Sequence, residues 1–293
     1  MTVTAQNIAD FLNTPLSGEN IVVTQPATAD APADQSVIFL KSVNRELLQN
    51  LSGFELLLLV PEDESVEIEH PHIRCGNPRL AFAKVVRTYF EEKQEAGIDP
   101  TAVLADDVVC GKNISIGKHS VVETGVVIGD DTVIRDQVII RKGTRIGKHC
   151  LIKSGVIIGE EGFGFDFEED GTPVRMPHTG GVIIGDRVEL GSDTVICRGT
   201  IGDTVLKDDV KVNDLVHIAH NCVVGEKTII AGGKLCGSVE LGKGVWMAPA
   251  SIVKNKVKVG ADTTIGLGAV VVKDLKAGVV AFGNPAKVAR SKS

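Results

Sequence analysis

Residues 116–159 read IGKHSVVETGVVIGDDTVIRDQVIIRKGTRIGKHCLIKSGVIIG. Every sixth residue in this stretch is aliphatic: Ile116, Val122, Ile128, Ile134, Ile140, Ile146, Ile152 and Ile158. Gly often follows that slot, as in IGKH and IGDD. The slot extends back through Cys110 and Leu104 to Ile98, and resumes after an interruption at Ile184, Leu190, Ile196, Leu206, Val212, Ile218, Val224 and Ile230. A slip of one residue precedes Leu241, after which Met247, Val253, Val259, Ile265 and Val271 keep the rule. A fixed short period of this kind marks a solenoid of stacked repeats. Hexapeptides predict a left-handed parallel β-helix, in which three repeats close one triangular coil and the aliphatic slot faces the shaft. Gly after the slot suits a corner that needs positive φ or close backbone approach.

Composition agrees with that architecture. Aromatic residues make up only 4% of the 293 residues while Gly occurs 32 times, a poor mixture for a compact core and a suitable one for a Gly-punctuated β architecture. The period predicts a β-helical domain over 98–293, with a loop inserted at 160–181 and a short C-terminal tail. Residues 1–97 differ. TAQNIADFLN has a Thr4 cap and helical apolar spacing, SVIFL and ELLLLV read as short buried strands, and NPRLAFAKVVRTYFEE reads as a helix with Pro78 at its start. A small α/β domain is expected there.

A net charge of −7 is opposite to the basic footprint of a nucleic-acid binder. No apolar run approaches the ~20 residues that cross a bilayer, and the N-terminus lacks a secretory pattern, so a cytoplasmic protein is expected. Six widely spaced cysteines without a CxxC pair suggest neither a disulfide framework nor structural zinc. The insertion, GEEGFGFDFEEDGTPVRMPHTGG (159–181), clusters Phe163, Phe165, Phe167 and His178 in a chain poor in such residues. Long insertions in regular domains tend to be functional or disordered. The Phe cluster favours a loop that packs on a neighbour or covers a ligand.

LVHIAHNCVVG, residues 215–225, places His217 and His220 on either side of the slot residue Ile218. Neither imidazole therefore points down the shaft. Gly232, Gly233 and Gly237 follow at about one coil's distance, where backbone N–H groups can face a developing oxyanion. Zinc held by three histidines would need a third His one coil away, and 199–202 and 235–238 contain none, so no metal is expected. A general base needs one imidazole, with an ordinary pKa of about 6.5. His220 fits that role.

IDPTAVL, GEEGFGF, GGVIIGDRVELGSDTVICRGTIGDTVLKDDVKVND and IAHN together resemble the UDP-3-O-acylglucosamine N-acyltransferases, hexapeptide enzymes of lipid A synthesis. The N-terminal NPRLAFAKV also looks like that family's first domain. The resemblance implies His220 as the base that takes a proton from the sugar amine, and Gly237 as the glycine whose N–H faces the thioester oxygen. AGGKLCGS is, however, one residue shorter than the family's usual spacing. It implies Phe39 as an aromatic against uracil, and a homotrimer with each site between adjacent prisms. Asn221 is read as orienting His220 or the sugar. His217 stands where the family usually has Gln and is taken as a substrate-side residue. A second uracil-side aromatic is absent from LKSVNREL.

The ending, IGLGAVVVKDLKAGVVAFGNPAKVARSKS, is similar instead to CoA-dependent sugar acetyltransferases, with Asn284, Lys287 and Arg290 placed to meet the donor. The expected activity is N-acyl transfer to a nucleotide-linked amino sugar, with acetyl-CoA as co-substrate and no tightly bound cofactor. The alternatives are an acyl carrier protein donor with a lipid A precursor as acceptor, or a non-catalytic β-helix that binds sugar or scaffolds a partner.

Overall fold

The computed structural model describes residues 2–63, 65–92 and 94–292. The chain divides into two compact units, Met1–Lys93 and Gln94–Ser293.

The first unit is a five-stranded sheet in the order Leu16–Ser17, His72–Cys75, Leu56–Pro61, Ser36–Phe39 and Gln25–Pro26, parallel except at its first pair. Three helices accompany it: α1 (Ala5–Leu12), α2 (Arg45–Leu51) and α3 (Pro78–Tyr89). Each has a side-chain N-cap. Thr4 accepts from the Asn7 N–H in a capping box, and Asn44 and Asn77 accept from Leu47 and Leu80. The all-apolar run in Leu56–Pro61 is explained by burial on both faces. Leu57 and Leu59 join Ile8, Val37 and Val85 in one core cluster, while Leu56, Leu58 and Val60 join Ile38 and Leu51 in another.

Among the described residues the second unit is a parallel β-helix whose three walls carry ten, nine and eight parallel strands, with the antiparallel strand Lys287–Ser291 added at the end of the first. In the regular part a strand pairs with the one 18 residues on, as Ile116 with Ile134 and Ile134 with Ile152. The six-residue slot fills the shaft: Ile116, Ile134, Ile158, Ile218 and Ile265 are all at most 1% exposed. Ile98, in the terminal coil with no coil beneath it, is 48% exposed, and Cys110 is exposed too.

The glycine after the slot serves only one of its two expected purposes. It marks close approach: a Cβ on Gly129 would lie 2.6 Å from the Gly147 carbonyl carbon of the next coil. Positive φ falls two residues later, at His119, Asp131, His149 and Asn221 among others (φ 55 to 58°). Between these positions, backbone N–H groups two residues past the slot are tied to the following coil by carboxylates. Lys112, Lys118, Lys148 and Ser192 donate to Asp130, Asp136, Asp186 and Asp214.

Two segments leave the coil, both at the corner between the second and third walls. One connects Ile157–Glu160 to Val182–Ile184, and the other connects Val195–Cys197 to Thr204–Leu206. The one-residue slip is a short coil in which Ile218 pairs with Leu235, 17 residues on.

Candidate functional site

His220 occupies that same corner, two residues past Ile218, where the chain turns without an insertion. The backbone around it is fixed. Ala219 N–H donates to Leu235 O at 3.0 Å, and His220 O accepts from Ser238 N–H at 2.9 Å. The next residue, Asn221, has φ 58°, a left-handed conformation that Asn tolerates better than most residues. Its amide orientation is set on both sides: Nδ2 donates to Gly202 O (2.9 Å), while Oδ1 accepts from the Thr200 N–H (3.1 Å) and hydroxyl (2.8 Å).

His220 Nδ1 lies 3.0 Å from that same Oδ1. An oxygen so committed only accepts, so Nδ1 carries the proton and Nε2 of the neutral ring keeps its lone pair. Nε2 faces Gly237, since a Cβ built there would lie 2.6 Å from it. Only glycine leaves space for the ring. The Gly237 carbonyl accepts from Lys256 N–H at 2.9 Å, but among the described residues nothing accepts from its N–H. Gly237 stands two residues past the slot residue Leu235, the position at which an Asp captures the N–H in other coils. The structure thus joins a lone-pair imidazole, its Asn partner and a free backbone donor, as the sequence grouped His220, Asn221 and Gly237.

The sequence reading missed two neighbours. The short segment 198–203 holds Asn221 through Thr200 and Gly202. The long insertion returns His178 to the site, with its ring edge-on to His220 at 5.2 Å and 73°. The two insertions are stitched together by Thr179 N–H to Thr200 O (2.7 Å) and Gly180 N–H to Gly199 O (3.0 Å). Gly162 of GFGF packs against both imidazoles: a Cβ there would meet His178 Nε2 at 2.9 Å and His220 Cδ2 at 3.1 Å. The phenylalanines point elsewhere. Phe165–Phe167 pairs with Pro173–Arg175 as a hairpin, with Phe163 and Phe167 87% and 67% exposed.

Beside His178 lies a polar cleft of about 640 Å³, lined by Glu123, Arg141, Lys142, Glu160, Glu161, Arg175 and Arg198. Arg141 bridges Glu123 (2.7 Å) and Glu160 (2.6 Å). These contacts hold both carboxyls below their ordinary range and raise the guanidinium. Burial pushes the Cys222 thiol, next to Asn221, up to about 12, so it stays protonated at neutral pH and is no nucleophile.

His217 is half-buried on the second wall, paired with Val195 and Lys234. Burial, with the Lys234 charge, lowers its pKa. Asn284 precedes a cis Pro285, and Lys287 and Arg290 lie on the exposed strand Lys287–Ser291, which pairs antiparallel with Val279–Phe282. That hairpin is three to four coils past His220, roughly 14–19 Å along the stack at the usual strand spacing. In the first unit, Phe39 does have an aromatic companion: Phe82 of α3, 5.1 Å away and tilted by 48°. Phe39, Phe82, Arg79 and Val86 line a cavity of about 620 Å³. Among the described residues, no group of three or more His, Cys, Asp or Glu side chains converges on a common point, and no helix is long and apolar enough to cross a membrane.

Residues 125–160 match the bacterial transferase hexapeptide (six repeats) family. A UDP-3-O-acylglucosamine N-acyltransferase of Campylobacter lari is 34% identical over 291 residues, covering 95% of this chain and 91% of that protein. One from Coxiella burnetii is 42% identical over 176 residues, 54% of this chain and 52% of the relative, so the match spans about half of that protein's length. Among solved structures, the UDP-N-acetylglucosamine acyltransferase from Campylobacter jejuni is 26% identical with a TM-score of 0.61, covering 67% of this chain and 75% of that chain. The second unit is therefore a left-handed β-helix like that of the solved acyltransferase. The chain belongs to the UDP-3-O-acylglucosamine N-acyltransferase family.

Proposed function

We propose that this chain transfers an acyl group from a thioester to the amine of a UDP-linked, 3-O-acylated glucosamine. The observation that carries the reading is the tautomer of His220, whose Nδ1–H is committed to Asn221 while its Nε2 lone pair faces Gly237. The neutral amine attacks the thioester carbonyl and a C–N bond forms. Negative charge then collects on the carbonyl oxygen, and the nitrogen becomes cationic. His220 Nε2 takes the nitrogen's proton, a role contributing about 10²–10⁴-fold in general-base enzymes. The free Gly237 N–H meets the oxyanion, an interaction whose loss elsewhere costs roughly 2.7–4 kcal/mol. Collapse breaks the C–S bond, and the imidazolium returns the proton to the departing thiolate.

For the donor, family membership favours acyl carrier protein over the acetyl-CoA expected from the tail. Both donors present a phosphopantetheine arm, so a role for Asn284, Lys287 and Arg290 toward its phosphate is compatible with either. Phe39 and Phe82 are assigned to the uracil, and the first unit to nucleotide-sugar binding. His217 is assigned to the substrate side. We take the active assembly to be a cytoplasmic homotrimer with sites between copies, as the family resemblance implies.

The test is incubation with UDP-3-O-acylglucosamine and either long-chain acyl carrier protein or acetyl-CoA, read by mass spectrometry. N-acylation from the carrier protein is expected. Turnover with acetyl-CoA alone overturns the donor assignment, and no N-acylation of any UDP-amino sugar overturns the function.

A further inference from the structure

Among the described residues, two buried polar side-chain atoms lack hydrogen-bond partners: Nε2 of His178, whose ring lies against His220, and Nε of Arg198. Both residues line the cleft described above and are nearly inaccessible, His178 at 3% and Arg198 at 6% exposure. The pair is chemically complementary. His178 Nδ1 stands 2.9 Å from the Met176 carbonyl, which can only accept, so Nδ1 carries the proton and Nε2 of the neutral ring is an acceptor. Arg198 spends Nη2 on the Lys142 carbonyl at 2.6 Å and keeps Nε–H as a donor. Folded proteins rarely leave such groups unpaired, because each forfeits its hydration without return.

A hydroxyl is the smallest group that answers both, giving its hydrogen to His178 and taking one from Arg198. A carboxylate or phosphate offers no hydrogen to His178, and an ammonium has nothing for Arg198 to donate to. The cleft's charges agree: its four basic and three acidic side chains nearly balance, which suits a neutral polyol better than a polyanion. His178 also touches His220. We infer that His178 and Arg198 hold one free hydroxyl of the acceptor sugar and thereby orient its amine toward His220. The inference rests on the acyl-transfer reading and adds specificity-determining residues to it.

The experiment is calorimetric binding of UDP-3-O-acylglucosamine and its 4-deoxy and 6-deoxy analogues to the full chain, in wild type, His178→Phe, His178→Gln and Arg198→Met. Wild type should bind one deoxy analogue tenfold or more weakly. His178→Phe should bind the parent sugar with that same reduced affinity and be indifferent to the deletion, and His178→Gln, which restores an acceptor, should recover part of the loss. Such coupling is what a double-mutant cycle measures. Equal wild-type affinity for all three sugars, as expected if a water alone bridges the two groups, overturns the inference. So does an equal response of wild type and His178→Phe to each deletion. Should His178→Phe fail to fold, Arg198→Met carries the same cycle. Wild-type N-acylation of the parent sugar is measured in parallel, so that failure of the acyl-transfer reading is seen separately from failure of this contact.

Discussion

Replacing Gly237 with Ala would put a methyl carbon 2.6 Å from both Nε2 and Cε1 of His220. Comfortable carbon contacts begin near 3.5 Å, so the ring must retreat by about 1 Å. Retreat is obstructed on every side. Asn221 Oδ1 holds Nδ1 at 3.0 Å, the His178 ring lies edge-on at 5.2 Å, and Gly162 already approaches Cδ2 closely. A 1 Å misplacement of a reacting group can cost about 10²-fold in rate, and that is the loss of kcat expected here. The backbone should tolerate the change, because Gly237 does not use the left-handed region and its N–H and carbonyl are retained. The crowding against the ring is overpacking, which costs about 1–3 kcal/mol, so the variant should fold with a lowered melting temperature. The assay is N-acyl transfer at saturating thioester, with melting measured on the same preparation. Wild-type kcat in Gly237→Ala would refute the placement of the ring against this glycine.

Asn221→Gly keeps the positive φ while removing the Oδ1 that fixes the His220 tautomer; kcat should fall about tenfold or more, up to the ~10²–10⁴-fold worth of a general base, with the coil still folded by circular dichroism. His217 has its folded-state pKa lowered by burial, so its contribution to stability is complete above the unfolded value of about 6.5 and is lost as pH falls through the folded value. Wild type should therefore lose melting temperature more steeply than His217→Gln between pH 7 and 5; parallel slopes would contradict the shift. Phe82→Ala should weaken UDP-sugar binding by the roughly 1–3 kcal/mol typical of base–aromatic stacking, with no effect on acetylated sugars lacking the nucleotide.

The shaft was legible because one requirement, an aliphatic side chain pointing inward, recurs at Ile116, Ile134, Ile218 and Ile265 without regard to what surrounds it. The corner was legible only in part. Gly117 and Gly129 announce close approach of coils, but the positive φ is carried two residues later by His119, Asp131 and their equivalents, residue types that tolerate the left-handed region without requiring it. His220, Asn221 and Gly237 could be grouped because two of them are sequence neighbours and the third is one coil away. His178 could not, because its nearness to His220 arises from a loop that leaves the stack and returns, which no fixed spacing describes. A weaker clue existed: the slot jumps ten residues from Ile196 to Leu206, marking a second excursion at the corner of the first. Phe82 was missed for a similar reason. The residues following Phe39 hold no aromatic partner, and the sheet packs it instead against a helix that begins at Pro78.

The most direct measurement is the rate of amide formation by His220→Ala and His220→Gln with UDP-3-O-acylglucosamine and an acyl thioester. Losses of about 10²–10⁴-fold are predicted, with melting temperatures close to wild type. Turnover within threefold of wild type in both variants would contradict His220 as the base.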